Sequence, residues 1–267
     1  MSNTASSFLY LSKGRVLLVG NALDNGDHSH HALQITLSME DRPFVVKHPG
    51  GMDEMQCALI KPNYQHRVDI TDSWRLLILL DANTEAAKHI ATRFLQNEPI
   101  ASPCKEDIEY CKQRLEAFAH EERPTDEVST AIDDVVARLT GVDTKQIILD
   151  PRVEKAICYI HQAEGSDITA DYLADKVCLS RDRLSHLFTK EVGIPIRTYI
   201  LWYRLSLTGY KIFTNQSLAE AAVEAGFSDA AHFSRAFRKM FGMTPSQIMR
   251  RTQSVKLIPD VDFLANR

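Results

Sequence analysis

The stretch GFSDAAHFSRAFRKMFGMTPS, Gly226 to Ser246, reads as a turn feeding a basic helix that stops at Gly242, with Thr244 and Pro245 just beyond. Its apolar residues Phe233, Ala236 and Phe237 recur at helical spacing, so one face packs inward. The other face carries Ala230, Ala231, His232, Ser234 and Arg235, with Arg238 and Lys239 one turn on. Such a helix invites the question of what its polar face touches.

The same pattern occurs once more upstream. LADKVCLSRDRLSHLFTKEVG repeats AEAAVEAGFSDAAHFSRAFRKMFG: Ala174, Leu179 and Ser180 match Ala222, Phe227 and Ser228 at an offset of 48 residues. After one inserted residue, Leu184, Ser185, Phe188, Lys190 and Gly193 match Phe233, Ser234, Phe237, Lys239 and Gly242 at an offset of 49. Each copy reads as helix, tight turn, helix, with Thr169 and Ser180 as N-caps in the first and Gly226 permitting the reversal in the second. That is helix-turn-helix geometry, whose second helix fits a major groove about 12 Å wide. The candidate base-reading residues are Arg181, Asp182, Ser185 and His186 in the first copy and Ala231, His232, Ser234 and Arg235 in the second. Arg238, Lys239, Arg250 and Arg251 suit phosphates, which anchor without specifying.

Charge agrees with that assignment. Arg152 to Thr252 holds 14 Lys and Arg against 10 Asp and Glu, a net of +4, whereas Met1 to Pro151 holds 15 against 23, a net of −8. A basic module attached to an acidic one is a footprint for a polyanion at one end only. The 267-residue length allows about two domains. No apolar run reaches the roughly 18 residues of a membrane span, and the N-terminus lacks a signal-peptide pattern, so the expected location is the cytoplasm. The five cysteines form no CxxC pair, which argues against disulfide frameworks and thiolate zinc; they are expected to be small buried residues.

The N-terminal third has a period of two. In ALQITLSM, Leu33, Ile35, Leu37 and Met39 alternate with Gln34, Thr36 and Ser38, which predicts one buried and one wet face. RVLLVG, FVVKHP, CALIKP, HRVDI and WRLLILL add further short strands, favouring an antiparallel barrel or sandwich over residues 1–82. Helical periodicity takes over in residues 83–140, with caps expected at Thr84 and near Thr125. The stripe Val128, Ile132, Val135 and Leu139 has two destinations, the chain's own sheet or a second copy; it is taken here as a dimer face. Residues 141–151 read as a linker and 253–267 as a C-terminal tail.

Residues 152–252 resemble the DNA-binding domain of the AraC/XylS family of bacterial transcription regulators, and AAVEAGFSDAAHFSRAFRKMFGMTPSQ follows that family's signature. The resemblance implies an all-α domain of seven helices. Two helix-turn-helix units would be joined by the long helix RTYILWYRLSLTGYKIF and enter successive major grooves about 34 Å apart. One departure is Thr208-Gly209, where a small alanine usually follows the arginine by four residues.

In the N-terminal part, His28, His30 and His31 in DHSHHALQITL and His66 in KPNYQHRV resemble the two histidine motifs of the cupin superfamily, with Gln34 where a glutamate is usual. The fold class expected is therefore α+β and multidomain: a cupin-like antiparallel β-barrel with following helices, then a double helix-turn-helix domain. Many regulators of the family carry such a barrel as a sensor, usually without metal. The four histidines are accordingly taken as effector contacts, with no metal, no cofactor and no catalytic residue. The expected partners are double-stranded promoter DNA, a small-molecule effector, a second copy of the chain and RNA polymerase, with no membrane. The alternative is a metal-dependent cupin enzyme carrying a DNA-binding domain.

Overall fold

Leu76 to Leu80 is five apolar residues in a row, and a strand of that kind must be covered on both faces. The computed structural model describes residues 8–12, 15–20, 26–69, 75–120, 124–142, 149–163, 168–192, 194–213, 216–242, 244–246 and 256–259. Its strands are β1 (Phe8–Ser12), β2 (Arg15–Gly20), β3 (Ala32–Ser38), β4 (Phe44–His48), β5 (Gly51–Met55), β6 (Cys57–Ile60), β7 (Arg67–Asp69), β8 (Arg75–Asp81), β9 (Ile100–Ala101) and β10 (Lys256–Pro259). Among the described residues they form a seven-stranded sheet ordered β10-β1-β2-β8-β3-β6-β9 and a three-stranded sheet ordered β5-β4-β7. Every pairing is antiparallel except β1 with β10. The segment expected to be a tail thus contributes an edge strand to the N-terminal sheet.

The large sheet is a middle layer. On one face Leu17, Val19, Leu33, Ile35, Leu76, Ile78 and Leu80 join the cores of three helices, α1 (Glu85–Phe94), α2 (Lys105–His120) and α3 (Thr125–Thr140). The opposite face is shared. Ala58 and Ile60 pack with Phe44, Val46 and Val68 of the small sheet, while Val16, Leu18, Leu77 and Leu79 join one apolar cluster with the C-terminal helices. Among the described residues the two sheets are not joined into a closed barrel, and helices take part of the face that a barrel's second wall would cover.

The expected wet face of β3 is also dry. Gln34, Thr36 and Ser38 are buried. Gln34 lies opposite Ile60 and Thr36 opposite Ala58 in the ladder, so both point toward the small sheet. They make internal hydrogen bonds: the Gln34 amide donates to Thr36 Oγ1 at 2.9 Å, and the Ser38 hydroxyl reaches the Arg42 carbonyl at 2.8 Å. Alternation located the two faces correctly but could not tell an interior polar row from a solvated one.

Helix α1 starts where the sequence indicated, with Thr84 Oγ1 accepting from Ala87 N–H at 3.1 Å. Helix α3 follows Pro124 and has no side-chain cap, in contrast to the cap expected near Thr125. Val128, Ile132, Val135 and Leu139 are all buried within the chain's own core, none more than 2% exposed. The dimer assignment for this stripe is corrected accordingly: α1, α2 and the large sheet already cover it within the chain. Of the cysteines, Cys57 and Cys111 are buried as expected, whereas Cys104, Cys158 and Cys178 are exposed.

The C-terminal helices are α4 (Pro151–Gln162), α5 (Ala170–Lys176), α6 (Arg181–Val192), α7 (Ile196–Phe213), α8 (Leu218–Glu224) and α9 (Ala230–Phe241). Asp150 caps α4 through the Arg152 N–H, with Pro151 at the first helical position. Ser217 and Glu220 form a reciprocal capping box on α8. Helix α7, expected only to join the two helix-turn-helix units, also holds the domains together. Trp202 is buried and its indole N–H donates to Asp81 Oδ2 at 2.8 Å across the interface. Thr208, at the departure from the family pattern, is fully buried and returns its hydroxyl to the Arg204 carbonyl at 2.8 Å.

Candidate nucleic-acid interface and the histidine cluster beside it

The two helix-turn-helix units close with one turn geometry. Leu179 N–H donates to the Ala174 carbonyl at 3.0 Å, and Phe227 N–H to the Ala222 carbonyl at 2.9 Å. Cys178 N–H reaches Asp175 and Gly226 N–H reaches Val223 at 3.2 and 3.0 Å. These are the paired bonds that finish a helix with a left-handed residue, here Cys178 at φ 56° and Gly226 at φ 90°. Only the second copy uses the residue for which that region is free of strain. Gly226→Ala places a side chain at φ 90° with its Cβ 2.9 Å from Arg204 Nε, and is expected to lower stability by about 1 to 2 kcal/mol in chemical denaturation.

The inserted residue between the copies is explained at the start of the second helix. Ser180 Oγ accepts from Arg183 N–H at 3.3 Å in the first copy, but Asp229, one place later, caps the second by accepting from His232 N–H at 2.6 Å. That backbone bond, helped by the Ser228 hydroxyl, holds the Asp229 carboxyl below its usual range. A charged cap at the helix N-terminus fixes the orientation from which α9 projects its side chains.

Of the expected stripes, Leu184 and Phe188 in α6 and Phe233 and Phe237 in α9 are buried and Ala236 is half-buried; Met240 and Phe241 add to the buried face of α9. Their other faces are open. Arg181, Asp182 and His186 on α6 are exposed, with Ser185 half-buried; Ala231, His232, Arg235, Arg238 and Lys239 on α9 are exposed, with Ser234 half-buried. Arg181 lies 3.6 Å from Asp171, an exposed pairing that water screens. Arg250 and Arg251 lie outside the described residues.

Helix α9 is bordered by the N-terminal domain. A cleft of about 420 Å³ is lined by His232, Arg235, Lys239 and Met240 from α9, Thr198 and Leu201 from α7, and His31, Asp81 and Asn83 from the N-terminal domain. His31 N–H donates to the Lys239 carbonyl at 3.2 Å. The Asn83 side chain lies 3.3 Å from His31 Nε2. Asp81, Asn83 and Thr198 carried no sequence signal, because their role exists only where two domains meet.

The four histidines part company here. His28, His30 and His66 come together, with ring centroids 4.5 to 5.5 Å apart. His28 and His66 exchange both backbone hydrogen bonds, at 3.0 and 2.9 Å. His31 points the other way, into the interdomain cleft, because neighbouring residues of extended chain face opposite sides. A single four-histidine effector site is thus corrected to a triad plus an interface residue. Burial holds the His30 imidazole down to about 4 and His66 to about 3, and lowers His28 as well, so all three rings are neutral at physiological pH. Each Nδ1 meets a carbonyl, that of Gly26, Ala32 and Tyr64 respectively, at 2.9 to 3.0 Å. A carbonyl only accepts, so Nδ1 carries the proton in each ring and Nε2 presents a lone pair. Such nitrogens are able to hold a borderline divalent metal or to accept from a polar ligand.

Comparison with known proteins follows the same division. Residues 173–251 match the helix-turn-helix domain family. The chain is 37% identical over 103 residues to the arabinose operon regulatory protein of Escherichia coli (37% of this chain, 35% of the relative), and 35% identical over 96 residues to the Msm operon regulatory protein of Streptococcus mutans (36% and 34%). It thus spans only about a third of the length of these relatives. Across nearly the whole chain, the fold is similar to that of ToxT from Vibrio cholerae O395, with a TM-score of 0.50 and 14% identity over 94% of this chain and 98% of that one. A further ToxT structure, an apo form from strain SCE256, gives 0.51 and 13% over 91% and 99%. The likeness to ToxT shows a two-domain architecture with N-terminal β-sheets and a helical C-terminal domain. Two matching turns, two open polar helix faces and the family match together make residues 173–251 of this chain a helix-turn-helix domain similar to those of the operon regulatory proteins.

Proposed function

We propose that this protein is a sequence-specific transcription regulator whose N-terminal domain senses a small molecule and thereby controls promoter binding. The observation that supports it most is the docking of the second recognition helix on the N-terminal domain. The face that would read DNA shares a cleft with His31, Asp81 and Asn83. A ligand that prefers one arrangement of the domains shifts the fraction of chains whose α9 is free to enter a groove. Double-stranded promoter DNA is the nucleic-acid partner. A homodimer formed through a surface other than the α3 stripe, and contact with RNA polymerase, complete the reading. The names of the curated relatives, both operon regulatory proteins, favour it over an enzyme.

The decisive experiment retains genomic fragments on the purified full-length protein at near-physiological salt, where phosphate contacts alone are weak. Recovery of a few promoter fragments sharing a site about two helical turns long supports the reading, and uniform retention contradicts it. Within that site, Arg235→Ala is expected to reduce discrimination by roughly 1 to 3 kcal/mol against a mismatched operator while nonspecific binding changes little. Equal losses on specific and random DNA in a binding titration would instead make Arg235 a phosphate contact.

A further inference from the structure

The histidine triad has a chemistry that effector contact alone does not explain. All three Nδ1–H groups are committed to backbone carbonyls, so three Nε2 lone pairs remain. Those of His30 and His66 lie 2.8 and 3.2 Å from one atom, Gln34 Oε1. The Gln34 amide nitrogen meanwhile faces Thr36 Oγ1 at 2.9 Å. In this arrangement acceptor faces acceptor. His28 Nε2 is buried with no hydrogen-bond partner among the described residues. One ligand nitrogen from each ring lies within 4.8 Å of the others. Something positively charged among these lone pairs would satisfy all of them, and backbone carbonyls on the far nitrogens are the support that orients imidazole ligands.

We propose that His28, His30 and His66, completed by Gln34 Oε1, form a binding site for one zinc-class divalent metal ion. Three imidazoles and an amide oxygen suit Zn²⁺, Co²⁺, Ni²⁺ or Fe²⁺; Mg²⁺ and Ca²⁺ prefer carboxylates. With metal–nitrogen bonds near 2.1 Å the rings close on the ion by roughly an ångström. Absence of the acidic ligand usual in such motifs argued for a metal-free domain at the level of sequence. The tertiary structure supplies a neutral oxygen in its place.

The site also touches the DNA-binding domain. A Cβ built on Gly242, the left-handed residue that closes α9, falls 2.3 Å from His28 Cδ2, so the imidazole rests directly on the end of the second recognition helix. Three residues further on, His31 N–H holds the Lys239 carbonyl of the same helix. Drawing His28 onto a metal changes the contact that seats α9. This coupling rests on the regulator reading above, whereas the metal site stands without it.

The test uses the untagged full-length chain stripped with a chelator. Calorimetric titration with Zn²⁺ is expected to show one equivalent bound, and Co²⁺ to give the visible absorption of a tetrahedral nitrogen-rich site. His66→Gln and His30→Gln each weaken Zn²⁺ binding tenfold or more, and Gln34→Glu, which restores an anionic ligand, tightens it. The competing arrangement has the Gln34 amide turned over, its NH₂ donating to both imidazoles and Thr36 donating to its oxygen. That arrangement predicts no stoichiometric binding and no gain from Gln34→Glu. Either result, or full retention of binding in both histidine variants, overturns the site. Promoter retention by the same stripped protein is scored separately, so loss of the metal site and loss of the regulator reading give different results.

Discussion

Ile132→Glu is expected to unfold the N-terminal domain instead of splitting a dimer. Ile132 is fully buried on α3, at the middle of a stripe that α1, α2 and the large sheet enclose. A carboxylate there has neither water nor a partner, and the substitution also removes apolar burial worth about 1.5 to 3 kcal/mol. The sum exceeds about 4 kcal/mol, a large part of the stability of a small domain. Equilibrium denaturation followed by circular dichroism measures it, with Ile132→Val as a control costing about 0.5 to 1.5 kcal/mol. A folded Ile132→Glu chain with altered sedimentation would return the stripe to an intermolecular interface.

Asp81→Ala is expected to loosen the two domains from each other. Asp81 is completely buried at the end of β8. Its Oδ1 accepts from the backbone and side-chain N–H groups of Asn83, both at 2.8 Å, and its Oδ2 accepts from Trp202. Removing the carboxylate strands three donors, one of them an indole N–H inside the interface, at a cost of roughly 3 kcal/mol. The Trp202 share of that loss falls on the contact between the sheet and α7, while β8 keeps its ladder on both sides. Calorimetry should therefore resolve a single unfolding transition into two. Thr84→Ala, which removes only the neighbouring helix cap, costs about 1 kcal/mol and leaves one transition. If Asp81→Ala unfolds as one unit at a uniformly lower temperature, the Trp202 bond does not carry domain coupling.

The experiments sort the sequence's information by range. Ser180, Thr84, Pro151, Gly226 and Gly242 each act on backbone within a few residues, and each marks the cap or turn it occupies in the structure. The tandem repeat was legible for the same reason, since both units use one set of local bonds around the residue pairs Cys178 and Gly226, Leu179 and Phe227. Asp229 as the second cap was the exception. The repeat only pairs Ser180 with Ser228, and the observed helix start shows that the inserted residue lengthens the turn.

What the residues determined by themselves is therefore the local bonding: a β-rich acidic half, a helical basic half, and two helix-turn-helix units with open polar faces. Periodicity also told which residues are apolar together, because a side chain's direction repeats with the backbone. The tertiary structure alone decided what each face meets. It sent the α3 stripe inward, dried the polar row of β3, separated His31 from its neighbours and set His28 against Gly242. Those outcomes depend on which layers arrive from elsewhere in the chain, and a pattern along the chain records only that a face is apolar or polar, not what comes to cover it.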